Sequence, residues 1–268
     1  MTPSQQQQQQ PQPQQPYGTA PAPAGGPLLV ERGARPEDGR CRHLLVWRAG
    51  PGWRMLSSGV LGGGLGERGW VLNAQVRPGY SRMDPDRHLA ELAAAQGLAG
   101  PGVGLMTAAD VDGYTWAAED GATAVVTTGI GVPTWAAAPE PVPAAATGYV
   151  PGTINILAVV PAAVSDAGLA NLLTTVTEAK VQALLDAGYD CSGTASDAVC
   201  VAVRAAGPGT DAEPFGGPRS TWGSRLARAV HRAVREGAEQ DRVRRAGGPL
   251  PGHPAPLGVC RSAVLLAG

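Results

Sequence analysis

Lysine is almost absent from this chain: of 21 basic residues, Lys180 alone is lysine and the rest are arginine. Cysteine is sparse, and Cys41, Cys191, Cys200 and Cys260 form no CxxC pair, so the simplest reading is free thiols in a reducing cytoplasm. The four histidines show no HExxH or other ligand spacing, which argues against a dedicated zinc site. No run of about 18 apolar residues exists to span a membrane. The start of the chain lacks the basic and apolar regions of a signal peptide. A net charge of −1 gives no electrostatic reason to expect nucleic acid or an anionic membrane as partner.

What is present divides the chain into three parts. Residues 1–39 open with Gln runs broken by proline, have little to bury, and are expected to be a disordered tail. Residues 40–245 suffice for one substantial core, and 246–268 form a Pro-rich tail with Ala263–Ala267 as a candidate edge strand. Within the domain, His43–Ala49 and Trp53–Leu61 read as strands paired across Gly50-Pro51-Gly52. Further strands are expected at 69–76, 103–108, 114–119, 122–130, 152–160 and 198–204. Helices are expected from Asp84 (as N-cap) to Gln96, from Ser165 to Ala187, and from Trp222 to Glu239. Grouped strands with about three helices predict a single-domain α+β fold with a mixed, mostly antiparallel sheet.

Lys180 shares one helical face with Leu169, Leu172, Leu173, Val176, Ala183, Leu184 and Ala187. An arginine-preferring chain that keeps one lysine on an apolar face points to a site needing a compact amine. The alternatives are a snorkelling stem or a structural ion pair. Cys191-Ser192-Gly193-Thr194-Ala195-Ser196-Asp197 packs hydroxyls around an acid before a strand. It reads either as an Asx/Ser turn or as a loop presenting Asp197 to Lys180. In Gly152-Thr153-Ile154-Asn155-Ile156, Thr153 and Asn155 share one strand face, suited to orienting an amide or to bonding neighbouring backbone.

Two patterns are set aside. Gly64, Gly66 and Gly69 match GxGxxG, but a strand follows rather than a helix, so a Gly-rich hairpin is the better reading than a dinucleotide site. Arg225, Arg228, Arg232 and Arg235 form a stripe that reads as a solvated helix face; a structural module binding an acidic partner through it is the alternative.

Several segments in order carry a more specific signal. They are Ser57-Ser58 with Gly62-Gly63-Gly64; Val71-Leu72-Asn73 with Val76 and Tyr80; Leu105 to Ala109 including Thr107; Thr128-Gly129; Gly152 to Asn155; Thr177-Glu178-Ala179-Lys180; Ser192-Gly193-Thr194 with Asp197; and Trp222-Gly223. Over roughly 45–240 they resemble the adenosylcobinamide amidohydrolase family. The chain departs from the family's Thr-Gly-Thr-Gly-Thr-Asp loop with Ser192-Gly193-Thr194-Ala195-Ser196-Asp197, which keeps the hydroxyls and the acid but loses one glycine, and from Gly-Val-Ser-Asn with Gly129-Ile130-Gly131-Val132-Pro133.

The resemblance implies hydrolysis of the amide joining aminopropanol to the corrin ring of adenosylcobinamide or a related corrinoid. The products are adenosylcobyric acid and 1-amino-2-propanol, in cytoplasmic cobalamin salvage. The corrinoid is then the substrate and no cofactor is implied. Amide hydrolysis needs a nucleophile, oxyanion donors and a proton for the leaving amine. On that basis Lys180 with Asp197 is expected to handle protons, and Thr194 and Ser196 to be nucleophiles or holders of a water. Asn73, Thr153 and Asn155 would orient the carbonyl, with Thr107 and Glu178 as further substrate-binding candidates. Glu178 projects to the helix face opposite Lys180. Trp70, Trp116, Trp135 and Trp222 are candidate walls for a wide corrin cleft. Other readings are a corrinoid-binding protein that does not cut, or a Schiff-base lysine for pyridoxal phosphate, for which no phosphate-cradling loop is seen.

Overall fold

The computed structural model describes residues 30–37, 39–139, 152–209 and 211–247. The expected strand at 263–267 and most of the expected N-terminal tail lie outside the described residues. Alternating apolar residues build two sheets. The first is ordered β1-β2-β5-β6, with β1 Glu31–Glu37, β2 Arg40–Arg48, β5 Trp70–Gln75 and β6 Val103–Thr107. The second is ordered β4-β3-β10-β9-β8-β7, with β3 Trp53–Ser57, β4 Gly64–Glu67, β7 Thr115–Glu119, β8 Ala122–Gly129, β9 Thr153–Ala163 and β10 Ala198–Arg204. The β5–β6 and β9–β10 pairs are parallel and the others antiparallel. The fold is therefore α+β with mixed, mostly antiparallel sheets.

The period-two rule sorts the residues into layers. Leu44, Val46, Leu72 and Ala74 pack against Leu89 and Ala93 of α1 (Pro85–Ala95). Trp47, Val71 and Leu105 meet Met55, Leu157, Val159, Cys200 and Ala202 between the sheets. Ile154, Ile156, Ala158, Val201 and Val203 pack against α2 (Asp166–Asp186) and α3 (Thr221–Arg245). The order is thus helix, sheet, sheet, helix pair. Leu169, Leu172, Val176 and Leu184 of α2 are fully buried, and each contributes up to about 1.5–3 kcal/mol by leaving water. Among the described residues, no helix is long and apolar enough to cross a membrane.

Four expectations change. β2 and β3 do not form a hairpin: β2 pairs with β1 and β5, and β3 with β4 and β10. Gly50 and Gly52, at φ +71° and +81°, carry the chain from one sheet to the other, and Trp47 and Trp53 meet edge-on at 4.9 Å between them. The strand Glu31–Glu37 lies inside the segment expected to be disordered. Its pairing supplies what its composition lacks, because it covers the open edge of β2, where Pro36 is tolerated. Asp84 makes no capping bond to α1; both its carboxylate oxygens are held by Arg82 at 2.9 Å, a stronger charge-assisted pairing. α3 runs beyond Glu239 to Arg245. Ser165 does cap α2, accepting from the Gly168 amide at 3.1 Å.

The Gly-rich run makes the β3–β4 hairpin and no phosphate loop. The arginine stripe of α3 is spent within the chain. Arg228 and Arg232 both hold Glu119, Arg225 lies near Asp120, and Arg235 pairs with Glu239.

Candidate active site

β9 and β10 are parallel and joined through α2, so both strands begin at the same end of the sheet. That topology brings Gly152-Thr153 beside the Ser192–Asp197 turn. Asp197 falls on the helix side of the sheet, where the apolar face of α2 delivers Lys180. Their atoms meet, Nζ to Oδ2, at 2.6 Å, with both side chains 9% exposed. Lys180 is therefore inward-facing and paired, as its position on α2 predicts.

Asp197 accepts four bonds. Oδ2 takes Lys180 Nζ and the Thr194 amide (3.1 Å); Oδ1 takes the Ile154 amide (2.9 Å) and the Thr194 hydroxyl (2.5 Å). These fill the lone-pair sites of an ionised carboxylate, so the acid is clamped between α2, β9 and its own turn. Gly193 makes room for the pair: at φ +152°, a Cβ there would lie 2.1 Å from Asp197 Oδ2 and 2.6 Å from Lys180 Nζ.

Thr194 touches this pair, and two further hydroxyls lie beside it around the Gly152 carbonyl. Thr153 Oγ1 and Ser196 Oγ are 2.7 Å apart, and Ser196 donates to the Gly152 carbonyl at 3.1 Å. Thr194 Oγ1 also lies 2.9 Å from that carbonyl oxygen, so its single proton is shared between Asp197 and Gly152. Ala195 and Ser196 are exposed, Thr194 is half-buried and Thr153 is buried, so the cluster opens to solvent through the 194–196 turn.

The carboxamides form a second, deeper group between the sheets. Asn155 Nδ2 donates to Asn73 Oδ1 (2.9 Å) and to the Met106 carbonyl (3.0 Å), and Asn73 Nδ2 donates to Thr127 Oγ1 (2.9 Å). Asn155 Oδ1 is buried and accepts no bond from the described residues. A cavity of about 20 Å³, large enough for one water, is lined by Asn73, Thr127 and Asn155 among apolar side chains. Thr153 links the two groups along one face of β9, but no hydrogen bond joins either asparagine to Lys180 or Asp197 among the described residues. Thr107 Oγ1 accepts from the Ala109 amide at 3.0 Å and holds the turn after β6. Glu178 stands apart, in a groove between α2 and α3 with Gln182, Arg228 and His231.

The sequence reading missed the Gly152 carbonyl, the Ile154 and Thr194 amides, and the clip made by Ser192. The Ser192 hydroxyl accepts from the Ala136 amide (2.8 Å), and its own amide donates to the Thr134 carbonyl (3.0 Å). This holds the loop after β8 against the site, with Val132 38% and Trp135 41% exposed. Val60, 51% exposed, follows β3 at the same end of the sheet. Of the four tryptophans considered, Trp135 borders the site. Trp70 is buried against α1, Trp116 is on the edge strand β7, and Trp222 packs at the start of α3.

Cys191 and Cys200 are thiols buried near the hydroxyl cluster and between the sheets. Burial pushes the Cys191 thiol up, and pushes that of Cys200 up to about 12, so neither is poised as a thiolate. Among the described residues, no three His, Cys, Asp or Glu side chains converge as a metal-ligand group.

The adenosylcobinamide amidohydrolase family matches residues 30–246 of the chain. An adenosylcobinamide amidohydrolase of Methanosarcina mazei is 30% identical over 185 residues, covering 67% of this chain and 87% of that protein. The enzyme of the same name from Halobacterium salinarum is 41% identical over 86 residues, 32% of this chain and 35% of that one. Among solved structures, the L-aminopeptidase D-Ala-esterase/amidase of Ochrobactrum anthropi gives a TM-score of 0.39 at 13% identity, covering 83% of this chain and 88% of that one.

Proposed function

This chain belongs to the adenosylcobinamide amidohydrolase family and is an amide-bond hydrolase; from that premise we propose that it hydrolyses the amide joining aminopropanol to the corrin ring of adenosylcobinamide. Water is consumed, and adenosylcobyric acid and 1-amino-2-propanol are released for cobalamin salvage. The observation that carries this reading is the buried Lys180–Asp197 pair, bonded to the Thr194 hydroxyl and through it next to those of Ser196 and Thr153 at a solvent-open turn.

Each requirement of amide hydrolysis has a group to meet it. The Lys180 ammonium has three N–H bonds and gives one to Asp197, which leaves it able to protonate the departing aminopropanol nitrogen. Asp197 fixes the direction of that ammonium. Thr153, Thr194 and Ser196 supply the nucleophile and the donors to the oxyanion; two of them already hold a carbonyl oxygen, that of Gly152. Asn155, two residues along β9 from Thr153, bonds Asn73 between the sheets, one layer behind the proposed reacting atoms. The exposed Val60, Val132 and Trp135 give the broad apolar face of a corrin a surface beside the cluster. The buried thiols of Cys191 and Cys200 support a reducing, cytoplasmic setting.

Incubation of the purified protein with adenosylcobinamide, with the products weighed by mass spectrometry, tests the reading. It requires stoichiometric aminopropanol and a corrinoid acid. Binding without release of aminopropanol would make the protein a carrier instead.

A further inference from the structure

The Gly152 carbonyl points into the hydroxyl cluster. It lies 2.9 Å from the Thr194 hydroxyl and 3.1 Å from that of Ser196. Two hydroxyls thus converge on one carbonyl oxygen, Ser196 donating to it and Thr194 sharing its proton between it and Asp197, an arrangement that can also serve a developing oxyanion. The next residue, Thr153, is a buried hydroxyl at the first position of a central strand, 2.7 Å from Ser196 Oγ. Gly152 is pressed against the neighbouring loop, where a Cβ would lie 2.2 Å from the Gly131 nitrogen and 2.4 Å from the Gly129 oxygen. Downstream, Asp197 holds the Ile154 amide at 2.9 Å, so the strand after Thr153 is anchored independently of what precedes it. A nucleophile, an oxyanion cradle, a proton acceptor and a clamped peptide thus converge on one bond of the protein itself.

We propose that Gly152–Thr153 is a self-processing peptide: Thr153 Oγ attacks the Gly152 carbonyl, and the chain divides into residues 1–152 and 153–268. This rests on the hydrolase reading of the same cluster and deepens it. In the first step a bond forms between Thr153 Oγ and the Gly152 carbonyl carbon while the C–N bond breaks. The hydroxyl proton passes by way of Ser196 Oγ to the departing nitrogen, leaving an ester. In the second step water adds to that ester and the Thr153 oxygen leaves with a proton. The products are a Gly152 carboxylate and a Thr153 with free hydroxyl and free α-amine. Departure of the Gly152 carbonyl releases the Thr194 and Ser196 hydroxyls to receive the corrinoid's carbonyl. Thr153, still anchored at Ile154, becomes the catalytic nucleophile, and its own amine becomes a base beside it.

The test is intact-protein mass spectrometry and N-terminal sequencing of the purified full chain, alongside aminopropanol release. The 27.2 kDa chain is expected to convert to two pieces, the second beginning at Thr153. Thr153→Ala should remain whole with matching circular dichroism, whereas Thr153→Ser should still divide. Cleavage of Thr153→Ala at the same bond would identify a contaminating protease and overturn the proposal. A wild-type chain that stays whole while hydrolysing adenosylcobinamide would also overturn it and leave the hydrolase reading standing. A chain that divides yet releases no aminopropanol would support self-processing and remove the proposed reaction on adenosylcobinamide.

Discussion

Replacing the two halves of the Lys180–Asp197 pair separately and together distinguishes a catalytic pair from a structural one. Both side chains are 9% exposed and joined at 2.6 Å, so the pair is desolvated and the small values of surface ion pairs do not apply. Lys180→Met leaves a buried carboxylate without its cation. Asp197→Asn removes the charge and leaves one oxygen for four donors: the Lys180 ammonium, the Thr194 and Ile154 amides, and the Thr194 hydroxyl. Each single change is expected to cost about 3–5 kcal/mol in urea unfolding, the usual cost of orphaning one partner of a buried pair. The double variant removes both charges and should lose less than the sum, because the second change no longer orphans a partner. Aminopropanol release should nonetheless stay at background in all three. Single variants within about 1 kcal/mol of wild type would show that the pair behaves as exposed. A stable double variant with near-normal turnover would refute the catalytic role outright.

Other outcomes follow from the same geometry. Gly193→Ala places a methyl between the two charges, and the resulting displacement should lower kcat roughly 100-fold while far-UV circular dichroism holds. Trp135→Ala should raise KM with little change in kcat, since the ring offers binding surface and no reacting atom. Glu178→Gln should leave both constants within roughly twofold, because the carboxylate lies in the α2/α3 groove away from Lys180.

The parts of this arrangement that show in the sequence are those written in side-chain pattern. Helical periodicity turned Lys180 inward, and the hydroxyl-rich turn before β10 offered Asp197 to it. Strand alternation put Thr153 and Asn155 on one face, where they are found. The Ser165 cap of α2 read correctly, while Asp84 was drawn away by Arg82 because a nearby guanidinium competes for the same oxygens. The separation of β2 from β3 was not legible, since Gly-Pro-Gly serves a hairpin and a sheet-to-sheet crossing equally well. Nor was β1, whose charged residues become a strand only because β2 offers an edge. The Gly152 carbonyl has no side-chain signature at all; its place depends on two strands starting at one end of a sheet. Glu178 shares a motif with Lys180, yet two residues of helix turn it about 200° away.

The most direct test of the central claim compares aminopropanol release from adenosylcobinamide by wild type and by Lys180→Arg. Arginine keeps the charge and the partner but holds its proton too firmly to give up. The expected result is a variant folded by circular dichroism whose kcat/KM falls about 1,000-fold or more. Turnover within a few-fold of wild type would contradict the account, because any cation at this place would then suffice.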